Sequence, residues 1–174
     1  LALLLQQGDY EGAKAYLSTL TKTIAANTTI MNTHNPLLDA LLSKKYEEAS
    51  RKGVMVYFDL PDLRDMPMDQ TDLVIVLSNL LNNAIEAAAQ ADPPEVYVRM
   101  RKSEDEVVLS VRNRVKKELN LVDGQLPRIS QKGAGHGFGL WNVRDVLKKY
   151  GGEYTISCRG CWFRFTCTIP LRKL

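Results

Sequence analysis

The sequence predicts an α+β fold: a two-layer α/β sandwich, with helices on one face of a mixed sheet, preceded by an N-terminal helical segment. Three observations predict it. Up to about residue 52 the apolar residues recur only at helical spacing. From residue 54 onward, runs that alternate at period two are interleaved with two further helical stripes. The composition, 45% hydrophobic and 25% charged over 174 residues, suits one ordinary domain with a buried core plus a helical appendage. The division expected is a helical segment over 1–52 and an α/β domain over 53–174.

In chain order, Leu1 to Leu5 read as the tail of a helix, without the basic start and cleavage site of a signal peptide. Gly8-Asp9 is a helix stop followed by an N-cap acid. Tyr10, Ala13, Leu17, Leu20 and Ile24 then recur at alternating steps of three and four, a seam suited to a partner helix. Asn35-Pro36 opens the next helix, with Asn as cap and Pro in the first turn. Its expected buried face is Leu37, Leu38, Leu41, Leu42, Tyr46 and Ala49, and Gly53 ends it.

"VMVYF" reads as a strand, and residues 61–68 as a loop. Asp69 caps a long helix whose stripe is Leu73, Leu77, Leu80, Leu81, Ala84, Ile85 and Ala88, closed by Pro93-Pro94. "VYVRM" and "VVLSV" are expected as antiparallel neighbours turning through Lys102 to Glu106. Residues 116–132 are polar, aperiodic and longer than most connections, which marks a functional or unstructured loop. A glycine-rich stretch leads into a helix on Leu140, Val143, Leu147 and Tyr150, stopped by Gly151-Gly152. "EYTISC" and "CWFRFTCTI" are the last two strands, with Arg159-Gly160 as the expected two-residue turn.

A net charge of +3, with Lys and Arg scattered among acids, gives no basic stripe for nucleic acid. No apolar run approaches the roughly 20 residues of a membrane-spanning helix. Cys158 and Cys161 have metal-ligand spacing, but no second pair and no neighbouring His completes a zinc set. A cross-strand disulfide is possible there. The odd cysteine count favours free thiols in a reducing cytoplasm.

Two stretches carry chemistry. "GAGHGFGLWNV" places Gly133, Gly135, Gly137 and Gly139 on alternate positions at the mouth of a helix. Glycine there costs conformational entropy, so close approach of a ligand to the backbone is the usual compensation. Bare amides at a helix start suit phosphate, and the competing reading is a plain surface loop. The dinucleotide fingerprint fails by count, because its third glycine would fall on Phe138 or Leu140. Gly-Leu-Trp replaces the Gly-Lys-Ser/Thr of a P-loop. In "LSNLLNNAIEAA", Asn79, Asn83 and Glu86 share one helix edge. Amide and carboxylate oxygens on one edge suit magnesium; a solvated polar face is the bland alternative.

Together, "NLLNNAIEAA" and "GHGFGLWNVRDVLKKYGG" resemble the N box and the second glycine box of the GHKL (Bergerat-fold) ATPases. With the leader text "LLQQGDYEGAKAYLSTL" and "NPLLDALLSKKYEEA", nearly the whole chain is similar to bacterial sensor histidine kinases of the AgrC-like, quorum-sensing type. The resemblance implies an ATP-dependent protein-histidine kinase domain with ATP and Mg2+ as cofactors. It implies Asn83 as the magnesium ligand and Asn79 as catalytic support one turn earlier. An amide at Asn79 cannot activate water as the glutamate of the gyrase branch does, which fits phosphoryl transfer rather than hydrolysis. It also implies that Gly135, Gly137, Gly139 and Leu140 bring the lid backbone to the triphosphate, with Lys132 and His136 neutralising its charge.

The departures are informative. The first glycine box reads "NRVKK", so Asn113 stands where the family has an adenine-binding aspartate, and neither glycine follows. Its amide oxygen can still accept a hydrogen bond. Glu86 stands where many relatives carry a phosphate-binding Lys. Of the two histidines, His34 and His136, neither sits in an acceptor box, and the resemblance places that box upstream of Leu1. The partners implied are a second copy, bound through the N-terminal helices, and a cognate response regulator. Localisation of this part is expected to be cytoplasmic, with any membrane sensor outside it. The alternative is a non-catalytic dimerisation or phosphorelay module with a degenerate nucleotide site.

Overall fold

The structure, a computed structural model, describes residues 32–64, 66–121, 126 and 139–171. The seam from Tyr10 to Ile24 lies outside these residues, as do Lys132, Gly133, Gly135, His136 and Gly137.

The chain runs α1 (Pro36–Arg51), β1 (Met55–Asp59), α2 (Gln70–Ala88), β2 (Glu95–Lys102), β3 (Glu106–Arg114), α3 (Gly139–Lys149), β4 (Glu153–Arg159) and β5 (Trp162–Pro170). The five strands form one sheet in the order β1-β2-β3-β5-β4. β1 pairs parallel to β2, with Val56 opposite Val96, and every other pair is antiparallel. The sheet is therefore mixed.

One face of it is apolar and covered. Val56, Val96, Val98, Met100, Val107, Leu109, Val111, Phe165, Cys167 and Ile169 are buried beneath the helices in a single core. α2 supplies the largest share of that core, from Leu73, Val76, Leu77, Leu80, Leu81, Ala84, Ile85 and Ala88. Its apolar stripe is wide because it packs on the sheet and on both other helices. The opposite face carries Tyr57 stacked on Tyr97, with the Arg112 guanidinium over the rings of Tyr97 and Trp162.

Caps fall where short polar side chains meet helix starts. Asn35 Oδ1 accepts from the Leu38 amide at 3.2 Å, and Asp69 Oδ1 accepts from the Thr71 amide at 2.8 Å. At the start of α1 the structure corrects the expected face. Leu37 is 49% exposed, while the buried set is Leu38, Leu42, Lys45 and Ala49. Leu37 and Leu38 sit 100° apart, so a narrow stripe takes only one of them. Lys45 buries its stem and presents its ammonium to Glu48 at 2.7 Å.

The β4–β5 turn is also shifted by one residue from the expectation. Arg159 pairs with Trp162, so the two loop residues are Gly160 and Cys161, at φ +55° and +60°. A two-residue turn with both central residues left-handed matches the right-handed twist of the strands. Cys158 consequently faces Phe163 across the ladder rather than Cys161, and all three cysteines are free. Burial pushes the Cys167 thiol up to about 12, leaving it protonated and inert at neutral pH.

Candidate functional site

α2 and α3 run antiparallel and bring the two unusual stretches together. Asn79 and Asn83 lie on the edge of α2 that faces the first residue of α3. A Cβ added at Gly139 would meet Asn79 Oδ1 at 3.0 Å and Asn83 Nδ2 at 3.2 Å. Nothing larger than hydrogen fits there without displacing an amide. Glycine at this position is thus explained by close packing against the asparagine pair.

The two amides differ in freedom. Asn79 Nδ2 donates to the Ile75 carbonyl one turn earlier at 2.8 Å, which fixes its rotamer and turns Oδ1 toward Gly139. Asn83 is exposed, as is Glu86 one turn on. Hard oxygen donors on an exposed helix edge are the ligands magnesium accepts, and it keeps several waters besides. The amide oxygen of Asn83 fits that role.

Beside this edge opens a cavity of about 160 Å3. Leu80, Ala84 and Ala87 of α2 form one wall, and Val111, Phe163 and Phe165 of the sheet form the floor. Val115, Leu119 and Leu140 complete the rim, and among the described residues the polar ones lining it are Asn83 and Asn113. An apolar slot with a few placed polar groups is the usual form of a small-molecule site.

Asn113, on the inward face of β3, is 3% exposed. Its Nδ2 donates to the Arg114 carbonyl at 2.8 Å. Turning the amide over would set two oxygens against each other, so Oδ1 is held as an acceptor. The structure therefore gathers Asn79, Asn83, Asn113, Gly139 and Leu140 around one place.

Leu119, Val115 and Phe163 of the cavity were not foreseen. Leu119 belongs to the stretch expected as a polar loop, Val115 immediately precedes it, and Phe163 lines the same cavity from β5. That stretch is stapled to the β4–β5 turn: Val115 donates to the Cys161 carbonyl at 3.0 Å, and Gly160 donates to Glu118 Oε2 at 3.0 Å. The Leu119 amide reaches Cys158 Sγ at 3.3 Å. Farther along, Leu126 is buried in the core. The isolated leucines of an otherwise polar stretch were the only signal in the sequence.

Three comparisons bear on this arrangement. A sensor protein of Bacillus subtilis, CitS, is 30% identical over 150 residues, which is 82% of this chain and 27% of that protein. The sensor protein PhoQ of Escherichia coli O157:H7 is 30% identical over 125 residues, 68% of this chain and 24% of its own length. The chain thus spans about a quarter of the length of these curated relatives. Among solved structures, the catalytic domain of histidine kinase ThkA superposes with a TM-score of 0.61 at 26% identity, covering 76% of this chain and 91% of that one. The histidine kinase AdeS of Acinetobacter baumannii, at 17% identity, shares the fold over 99% of this chain and 84% of its own, with a TM-score of 0.58. The family model described as the GHKL domain matches residues 68–170, which hold the asparagine edge, the cavity and the start of α3, and the chain belongs to that family.

Proposed function

We propose that this chain carries the ATP-binding catalytic domain of a sensor histidine kinase, and that the cavity beside Asn83 takes the adenine of Mg-ATP. The observation that carries the reading is the convergence of Asn83, Asn113 and Leu140 on one apolar slot, with Gly139 packed against Asn83 at its edge. The kinases and sensor proteins among its relatives support it. ATP supplies the phosphoryl group, and magnesium neutralises its charge during transfer.

Each residue then has a task. Asn113 Oδ1 accepts from the exocyclic amino group of the base, deep in the slot. Leu80, Ala84, Leu119 and Phe163 exclude water around the ring. The Asn83 amide oxygen holds the metal, and Asn79, locked to Ile75, keeps its oxygen beside the same edge. Gly135, Gly137, Lys132 and His136 belong to the lid over the triphosphate. Neither Asn79 nor Asn83 can take a proton from water, so the edge favours transfer to a protein side chain over hydrolysis. The acceptor is a histidine outside the ATP-binding fold. The wider reading adds the AgrC-like branch, dimerisation through the helices before residue 53, a response regulator as phosphoryl recipient and a membrane sensor beyond this segment.

Calorimetric titration tests it. The chain should bind ATP more tightly with magnesium than without. Asn83→Ala should abolish the magnesium-dependent gain while keeping the fold, since alanine is a better helix former. A variant that binds Mg-ATP as the parent does would remove Asn83 from the metal site.

A further inference from the structure

The site depends on how far α3 is slid along α2, and the residues that set this lie at the opposite end of both helices. Tyr150, just past the end of α3, donates its hydroxyl to Asp72 Oδ2 at 2.7 Å in the first turn of α2. The same hydroxyl accepts from the backbone amide of Asp69, the α2 N-cap, at 3.1 Å. Lys149 Nζ adds a contact to Asp72 Oδ1 at 3.1 Å. The Lys149 side chain is 61% exposed, so this pair is worth little by itself. The phenol, holding one partner as donor and another as acceptor, is the directional element.

The spacing joins this contact to the site. Asn83 lies eleven residues beyond Asp72, and Gly139 lies eleven residues before Tyr150. At about 1.5 Å per residue both spans are near 16 Å, so fixing Tyr150 on Asp72 delivers Gly139 to Asn83. Between the two ends the contact is made by Val143, Val146 and Leu147, an apolar stripe that tolerates small slides. The site end has no such slack, because a Cβ on Gly139 would already meet both asparagines.

We propose that Tyr150 and Asp72 are positioning residues for the nucleotide site: their hydrogen bond sets the register of α3 on α2 and so places the lid-helix start against Asn79 and Asn83. The inference rests on the nucleotide reading of that site. Neither residue touches the cavity, so the effect falls on the phosphate and metal end rather than on the base.

The test compares Mg-ATP with adenosine on the full chain by calorimetry. Tyr150→Phe should weaken Mg-ATP roughly threefold to tenfold, a part of the worth of one hydrogen bond to a charged group, and leave adenosine affinity unchanged. Asp72→Ala should behave the same way. Asp72→Asn, whose amide oxygen still accepts from the phenol, should restore most of the Mg-ATP affinity. Thr166→Val removes a hydrogen bond to Ser110 on the far sheet face and serves as a control for ordinary loss of stability. Equal weakening of both ligands, or none, would overturn the proposal. A parent that binds neither ligand would overturn the nucleotide reading instead. The register is then read from hydrogen exchange at the amides of Val143 to Val146, which bond back to the first turn of α3 and which Tyr150→Phe must accelerate if the clamp exists.

Discussion

Asn113 has two amide atoms with opposite assignments, and both follow from where it is buried. Its Nδ2 is committed to the Arg114 carbonyl, so the oxygen that remains can only accept. Adenine offers an exocyclic N–H at the edge where guanine offers a carbonyl oxygen, so under the proposed binding mode this acceptor would discriminate between them. Asn113→Leu should lower ATP affinity and remove the preference for ATP over GTP, a difference of about 1–3 kcal/mol in the parent. Paired titrations with ATP and GTP check it; a variant that keeps the parent's preference would show that the selecting group lies elsewhere. On the proposed reading an asparagine can stand in for the family's aspartate, because an acceptor needs an oxygen and not a charge. The chain after Asn113 is held by Val115, Glu118 and Leu119 against the β4–β5 turn, and Leu119 fills cavity wall.

At the scale of elements, the contact between α2 and α3 carries a pH dependence. The Tyr150 hydroxyl, and after it Lys149, hold the Asp72 carboxyl below its ordinary range. A depressed carboxylate contributes stability above its unfolded value, near pH 3.9, and loses it as the pH falls through the lower folded value. The charged neighbours on this contact are Asp69 and Lys149, and the Tyr150 hydroxyl is raised above its ordinary range by the same bond to Asp72. The melting temperature of Asp72→Asn should therefore lie below that of the parent at pH 7 and approach it as the pH drops below about 4. A gap that stays constant down to pH 3 would mean the Asp72 charge adds nothing to the folded state.

The elements were legible because their signals are local. Asn35 and Asp69 cap, Pro36 starts, Gly53 stops, and the α2 stripe from Leu73 to Ala88 is strictly periodic. What was not legible depends on pairing across the chain. Leu37 looks as buried as Leu38 until the helix is rotated onto α2. The turn at Gly160-Cys161 is decided by Arg159 opposite Trp162, which the text "CRGC" leaves open. Asn79 and Asn83 could be placed on one edge from spacing, but their contact with Gly139 joins residues far apart in the chain, and the Tyr150–Asp72 bond spans 78 positions.

For the whole molecule, the role proposed for the residues before α1 is association of two chains. α1 buries Leu38, Leu42 and Ala49 in the same core as α2, so that helix belongs physically with the α/β layers. The seam of Tyr10, Ala13, Leu17, Leu20 and Ile24 is different in kind: a narrow stripe at coiled-coil spacing, polar elsewhere. Such a stripe suits a partner helix, and on the proposed reading a second copy of this chain supplies it. Sedimentation of the parent should show a dimer or a concentration-dependent mixture of monomer and dimer. Changing Leu17 and Leu20 together to Glu places unpaired charge in the seam and should leave only monomer. Because that variant changes none of the described residues that line the cavity or make the α2–α3 contact, Mg-ATP affinity per chain should be unchanged in it. A parent that stays monomeric at high concentration would show that the seam folds back onto its own α/β domain. In that event the Glu substitutions would lower the melting temperature instead of the mass.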